Sequence, residues 1–192
     1  MSLYHHQPAQ TALALAGEAR HWAGQAPCTG AALAASTEAR AYARLGDAAR
    51  ALEALRQAEE IVDKLPPAHL ENSIYGYPRQ QMAFHKEATL TAIGRLKEAG
   101  EAQTAALALY PATEHVNPML IRLDQASCLI RGGDLASGYQ LAAHHLMATP
   151  SGYRTPLVLS RAHELLDVSN TGQRGSPAFN DYRETLHSLA AG

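Results

Sequence analysis

The sequence predicts an all-α fold in which antiparallel helix pairs stack on one another, and three observations lead there. Apolar and small residues recur at helical spacing through nearly the whole chain. Ala and Leu dominate the apolar share, with only two Phe and one Trp, and Ala, Leu, Glu, Gln and Arg are the strongest helix formers. The breakers alternate in kind: a glycine turn within a pair, then a proline-containing connection to the next pair, as in a helical solenoid.

Nine helices are expected. The first runs from about Gln10 to Gln25 and ends at the breaker Ala26-Pro27-Cys28-Thr29-Gly30. The second, about Ala31 to Leu45, stops at Gly46-Asp47, and the third continues to about Lys64 before Pro66-Pro67. After a longer linker, Pro78 suits the first turn of a helix extending to Ile93. Gly94-Arg95 turns the chain into a partner that ends at Tyr110-Pro111. Pro118 opens the next helix, Gly132-Gly133-Asp134 closes it, and its partner runs to about Ala148. The last two lie near Pro156 to Asp167 and Ala178 to Ala190.

A length of 192 residues with 46% hydrophobic residues suits one domain over 1–192 with a real core, 1–9 being flexible and 169–177 a loop before a capping helix. Few large aromatics mean that packing relies on small residues, which let helix backbones approach closely. Sixteen Lys and Arg against eighteen Asp and Glu give a formal charge of −2. That balance lacks the basic surplus that phosphate neutralisation requires, so direct nucleic-acid binding by this chain is not expected. Cys28 and Cys128 have no CxxC partner, which favours a reduced, cytoplasmic compartment. No apolar run approaches the roughly 20 residues of a membrane span, and residues 1–25 lack the features of a signal peptide. No membrane partner is expected.

The segment Ala39-Arg40-Ala41-Tyr42-Ala43-Arg44-Leu45-Gly46-Asp47-Ala48-Ala49-Arg50-Ala51, followed by Ala58, resembles a tetratricopeptide repeat. Its small residues stand where paired helices touch. The unit with Gly94, Ala99, Ala106 and Pro111 is similar, while the one with Ala126, Leu129, Gly133-Asp134 and Gly138 has His145 in place of the last small residue. The resemblance implies a right-handed superhelix of helix pairs. The wording of Tyr77-Pro78-Arg79-Gln80-Gln81-Met82-Ala83-Phe84-His85, Ile121-Arg122-Leu123-Asp124-Gln125-Ala126, Leu109-Tyr110-Pro111 and Ser160-Arg161-Ala162-His163-Glu164-Leu165-Leu166 resembles the carboxy-terminal sensor half of actinobacterial regulators with an XRE-type helix-turn-helix. Those regulators carry their DNA-binding motif at the amino terminus, so the resemblance implies a fragment or a stand-alone relative.

First helices of successive pairs normally line the concave side of such a superhelix. Aligning the three units places Thr37, His85 and Asp124 at equivalent points, with Arg40, Phe84, Leu123 and Ser127 nearby and Arg44 and Arg131 one turn on. Together with Arg122, Tyr77 and Arg79 these are the candidate ligand-binding residues. A groove arginine can hold a carboxylate through paired hydrogen bonds, but the same residues also suit a core or a solvated surface. The linker Tyr75-Gly76-Tyr77-Pro78-Arg79 is open to two readings, a recognition loop or a connection stapled by its tyrosines.

Ten histidines invite a metal, yet His144 and His145 are adjacent and cannot share a helix face, and His163-Glu164-Leu165-Leu166-Asp167 has Asp where HExxH needs its second histidine. No metal or other cofactor is expected. No catalytic motif occurs, although a pair such as His85 with Asp124 would suit a site assembled from several helices. The expected function is therefore recognition of a peptide, protein or small molecule in the groove, in a regulatory module. The alternatives are an enzyme or small-molecule binder on the same scaffold and a homodimer formed through an end helix.

Overall fold

The computed structural model describes residues 8–24 and 26–190. They form α1 (Ala9–Ala23), α2 (Thr29–Arg44), α3 (Ala48–Asp63), α4 (Arg79–Ala92), α5 (Leu96–Leu107), α6 (Val116–Arg131), α7 (Leu135–Ala148), α8 (Pro156–Val168) and α9 (Pro177–Ala190), with 3₁₀ turns at Pro67–Leu70 and Ser151–Tyr153. The described residues contain no strand, so the all-α expectation holds. Most of the expected flexible segment 1–9 lies outside the described residues, although α1 already begins at Ala9.

One local motif makes the hairpins α2–α3, α4–α5 and α6–α7. Gly46, Gly94 and Gly133 have φ of 79°, 76° and 95°, a left-handed conformation that costs a glycine little. In each turn the glycine N–H donates to a carbonyl three residues back (Ala43, Thr91, Ile130), and the next N–H reaches five residues back (Tyr42, Leu90, Leu129). This is a Schellman closure, which satisfies carbonyls left over at a helix end. Asp47 and Asp134 then cap the following helix, accepting from Arg50 N at 3.0 Å and Ser137 N at 3.1 Å. Arg95 occupies that place in the middle hairpin and provides no side-chain cap.

The helices fall into two compact units, Met1–Leu109 and Tyr110–Gly192. In the first, α2 packs against α1, α3 and α4, while α4 also packs on α3 and α5. Small residues make these contacts: Ala32, Ala35, Ala39, Ala51, Ala58, Ala99 and Ala106 are wholly buried. Polar ties cross the same seams. Arg20 of α1 reaches Glu38 of α2 at 2.6 Å and Gln57 of α3 at 2.8 Å, and Gln103 of α5 donates to Thr91 of α4 at 2.9 Å. The outer face of α1 stays in solvent, with Leu15 half-exposed and Trp22 82% exposed.

In the second unit, α6 packs on α7 and α8, and α9 on α7 and α8. Its core is larger-grained, built on Leu120, Ile121, Leu123, Ile130, Leu146, Val158, Leu165 and Leu186. Tyr139 stacks on Tyr182 at 4.9 Å between ring centroids and shares a 2.7 Å hydrogen bond with Ser169, just past α8. Gly138 lets α7 close on α6, since a Cβ there would sit 2.6 Å from Ile130 Cγ1 and 2.9 Å from Ala126 O. Arg154 completes the C-terminus of α7, its Nε donating to Leu146 O and Thr149 O at 3.0 and 2.9 Å.

Candidate functional site

Four of the nine expected ligand residues come together, and they do so inside unit 1. Arg40 extends from α2, Phe84 and His85 from α4, and Tyr77 from the linker ahead of α4. All four are buried. The Arg40 guanidinium carbon stands 5.6 Å from the Phe84 ring centroid, a cation–π arrangement. His85 stacks against Tyr77 with centroids 6.3 Å apart and an 18° interplanar angle, and meets Phe84 edge-on at 6.0 Å. The Tyr77 phenol lies 2.6 Å from the Ser36 hydroxyl on α2, and both approach Met82 Sδ.

Enclosure sets the electrostatics of this cluster. Burial, with the Arg40 cation nearby, pushes the His85 imidazole down to about 3. The ring is therefore neutral, and its Nδ1 has no hydrogen-bond partner among the described residues. Burial raises the Tyr77 phenol, which stays protonated. A neutral imidazole sealed from solvent is placed as packing between α2 and α4 rather than as a contact for a passing ligand.

The tyrosines of the linker divide between the two readings. Tyr77 is 1% exposed and fastens the connection to α2, its N–H also donating to His69 O at 2.8 Å. Tyr75 and Ile74 stand 82% and 89% exposed. Between them, Gly76 passes so close to Glu71 that a Cβ would fall 2.0 Å from its carbonyl oxygen.

Arg44 and Arg79 are exposed in unit 1, outside the buried cluster. The other three expected residues belong to unit 2. Asp124 is buried on α6, where Arg161 of α8 approaches it at 2.5 Å and also meets Glu164 at 2.5 Å. The pairing with Asp124, and less so with Glu164, raises the Arg161 pKa further. Arg122 is half-buried and donates to Gln125 at 2.9 Å; Arg131 is exposed and reaches Ser127 at 3.4 Å. Sequence spacing did not identify Arg161 as the partner of Asp124, because the two are 37 residues apart and no local pattern joins them.

A surface feature absent from the sequence reading is a trough of about 490 Å³ in unit 1, with α3 and α5 as walls and α4 as floor. Apolar surface comes from Leu52, Leu55 and Leu90, and space from Ala83, Ala102 and Ala105. Charged side chains rise at its edges. Lys86 donates to Glu59 at 2.7 Å, Arg56 is paired with Glu53 and Glu60, and Arg95 holds Glu98 at 2.6 Å. The α3 residues that face it alternate with Ala51, Ala54 and Ala58, which face the core.

Among the described residues, no group of three or more His, Cys, Asp or Glu side chains is arranged to hold a metal ion. No helix among them is long and apolar enough to cross a membrane. Compared with family models, with curated proteins and with solved structures, the chain matches none.

Proposed function

We propose that the chain is a binding module of tetratricopeptide-like helix pairs that recognises a protein or peptide partner in a regulatory role. The observation that carries the reading is the three-helix trough of unit 1, whose lining mixes leucines and alanines with the charged side chains of Arg56, Glu59, Lys86, Glu98 and Glu101, the mixture of surface that recognition sites use. The recurring Schellman turn and the packing of α2 on both α3 and α4 support the repeat architecture within unit 1. In unit 2, α6 packs likewise on α7 and α8. The enclosure of His85 and the engagement of Asp124 by Arg161 favour binding over catalysis at the positions first considered for either.

Selection of random-sequence peptides against the purified chain tests the reading. Recovery of peptides that bind saturably and displace one another supports it. A chain that retains no peptide at millimolar concentration is not a peptide-binding module. The resemblance to XRE-type regulators supports an extension of this reading, in which the module is a cytoplasmic sensor half that passes ligand binding to DNA-binding parts by a population shift. An upstream helix-turn-helix in the same reading frame is the observation that checks this extension.

A further inference from the structure

The trough of unit 1 has a direction, a depth and a polarity that together specify what fits it, an inference that rests on the binding-module reading above. Each wall lines it at helical spacing: Leu52, Leu55 and Glu59 on α3, and Glu98, Ala102 and Ala105 on α5. A seven-residue step along a helix is about 10 Å. The trough thus runs with its walls for about two turns. Three helices arranged in this way offer the fourth position of a bundle, and Ala83, Ala102 and Ala105 are small enough to let a fourth backbone come near.

The walls also decide the backbone conformation of the occupant. They are helix surfaces, which present side chains and no open row of N–H and C=O groups. An extended peptide would find no backbone partners on these walls and could pair its amides only with water, whereas a helix satisfies its amides internally. Charge then distinguishes the two flanks. Glu59, Glu98 and Glu101 line the trough against Arg56 and Lys86. On α3 the charges are answered locally, Glu59 by Lys86 and Arg56 by Glu53 and Glu60. On α5, Arg95 answers Glu98, while Glu101 is exposed and makes no ion pair among the described residues.

We propose that this trough takes an amphipathic α-helix of a partner protein, seated between α3 and α5. Leucine-sized residues at i, i+3 or i+4, and i+7 rest on α4. Lysine or arginine occupies the flank beside Glu98 and Glu101.

A library of helical peptides with a fixed apolar stripe and flanks varied among Lys, Gln and Glu tests this against the intact chain, with affinities measured by titration at low and high salt. The Lys-flanked peptides are expected to bind tightest and to weaken as salt rises. Glu101→Lys should weaken them by about 3- to 10-fold, and Ala105→Trp should abolish binding by filling the trough. Both positions are exposed, and an unchanged melting temperature shows that each variant folds. Tightest binding by neutral or acidic flanks overturns the proposed chemistry while leaving the binding module in place. Peptides indifferent to both substitutions, or a second copy of the chain competing for the trough, overturn the proposed occupant. Failure of every peptide, helical or extended, overturns the module reading itself.

Discussion

The Tyr77 hydroxyl and the Ser36 hydroxyl, 2.6 Å apart and both buried, tie the long α3–α4 connection to the middle of α2. Either group alone would keep only a weak contact with the Met82 sulfur in an apolar surround. Tyr77→Phe should therefore cost about 1–2 kcal/mol. Ser36→Ala added to it should recover part of that loss, because removing both partners leaves nothing unsatisfied. Chemical unfolding of the two single variants and the double variant measures the coupling.

His85 should make the fold acid-sensitive. Its ring ionises at 6.5 in an unfolded chain and only near about 3 in the folded one. At higher pH both states are neutral and the full stability is present. Below about pH 6.5 the unfolded chain takes up a proton that the folded site excludes. Stability then falls toward about pH 3 with a slope approaching 1.4 kcal/mol per pH unit. Comparing the pH slope of urea unfolding in the parent and in His85→Leu, between about pH 5 and 7, isolates this contribution from that of the carboxylates. Equal slopes would mean that the ring titrates alike in the folded and unfolded chain.

Two glycines within helices should respond in opposite directions. Gly138→Ala forces a methyl group onto Ile130 and the Ala126 carbonyl, and the displacement should cost about 1–3 kcal/mol. Gly100 of α5 has open space where its Cβ would stand. Gly100→Ala should be neutral or stabilising by up to about 1 kcal/mol, since alanine loses less backbone entropy in a helix. Melting temperatures of the two variants check the contrast.

In unit 2, Asp124→Ala should cost about 2–4 kcal/mol, because Arg161 would keep only Glu164 in a site that is four-fifths enclosed. Glu164→Gln should cost less than about 1 kcal/mol, its side chain being more open to water. Denaturant titration of both variants tests the order. A larger loss for Glu164 would place the main anchor of Arg161 outside the core.

The sequence was most legible where a local rule acts alone. Gly46, Gly94 and Gly133 marked three hairpin turns because only a left-handed residue closes a Schellman turn without strain. Pro118 marked its helix start two residues late, since α6 begins at Val116 and a proline fits anywhere in the first turn, where the N–H is not needed. The candidate site was less legible. Tyr77 and His85 have ordinary surface chemistry in sequence, and only the closeness of α2 and α4 makes them interior. The trough was not legible at all, because it is the space between side chains of three helices and leaves no periodic mark on any one of them.

The exposed ring at the end of α1 bears on how this protein is to be observed. Trp22 is the sole tryptophan of the chain and is already largely hydrated in the folded state. Its emission should resemble that of the free indole before any denaturant is added and should barely shift as the chain unfolds. A fluorescence trace that looks flat would then report the environment of one edge residue and not the persistence of the core. The buried phenols of Tyr77, Tyr139 and Tyr182, read by near-ultraviolet absorbance or circular dichroism, are the native chromophores that follow loss of the interior in each unit.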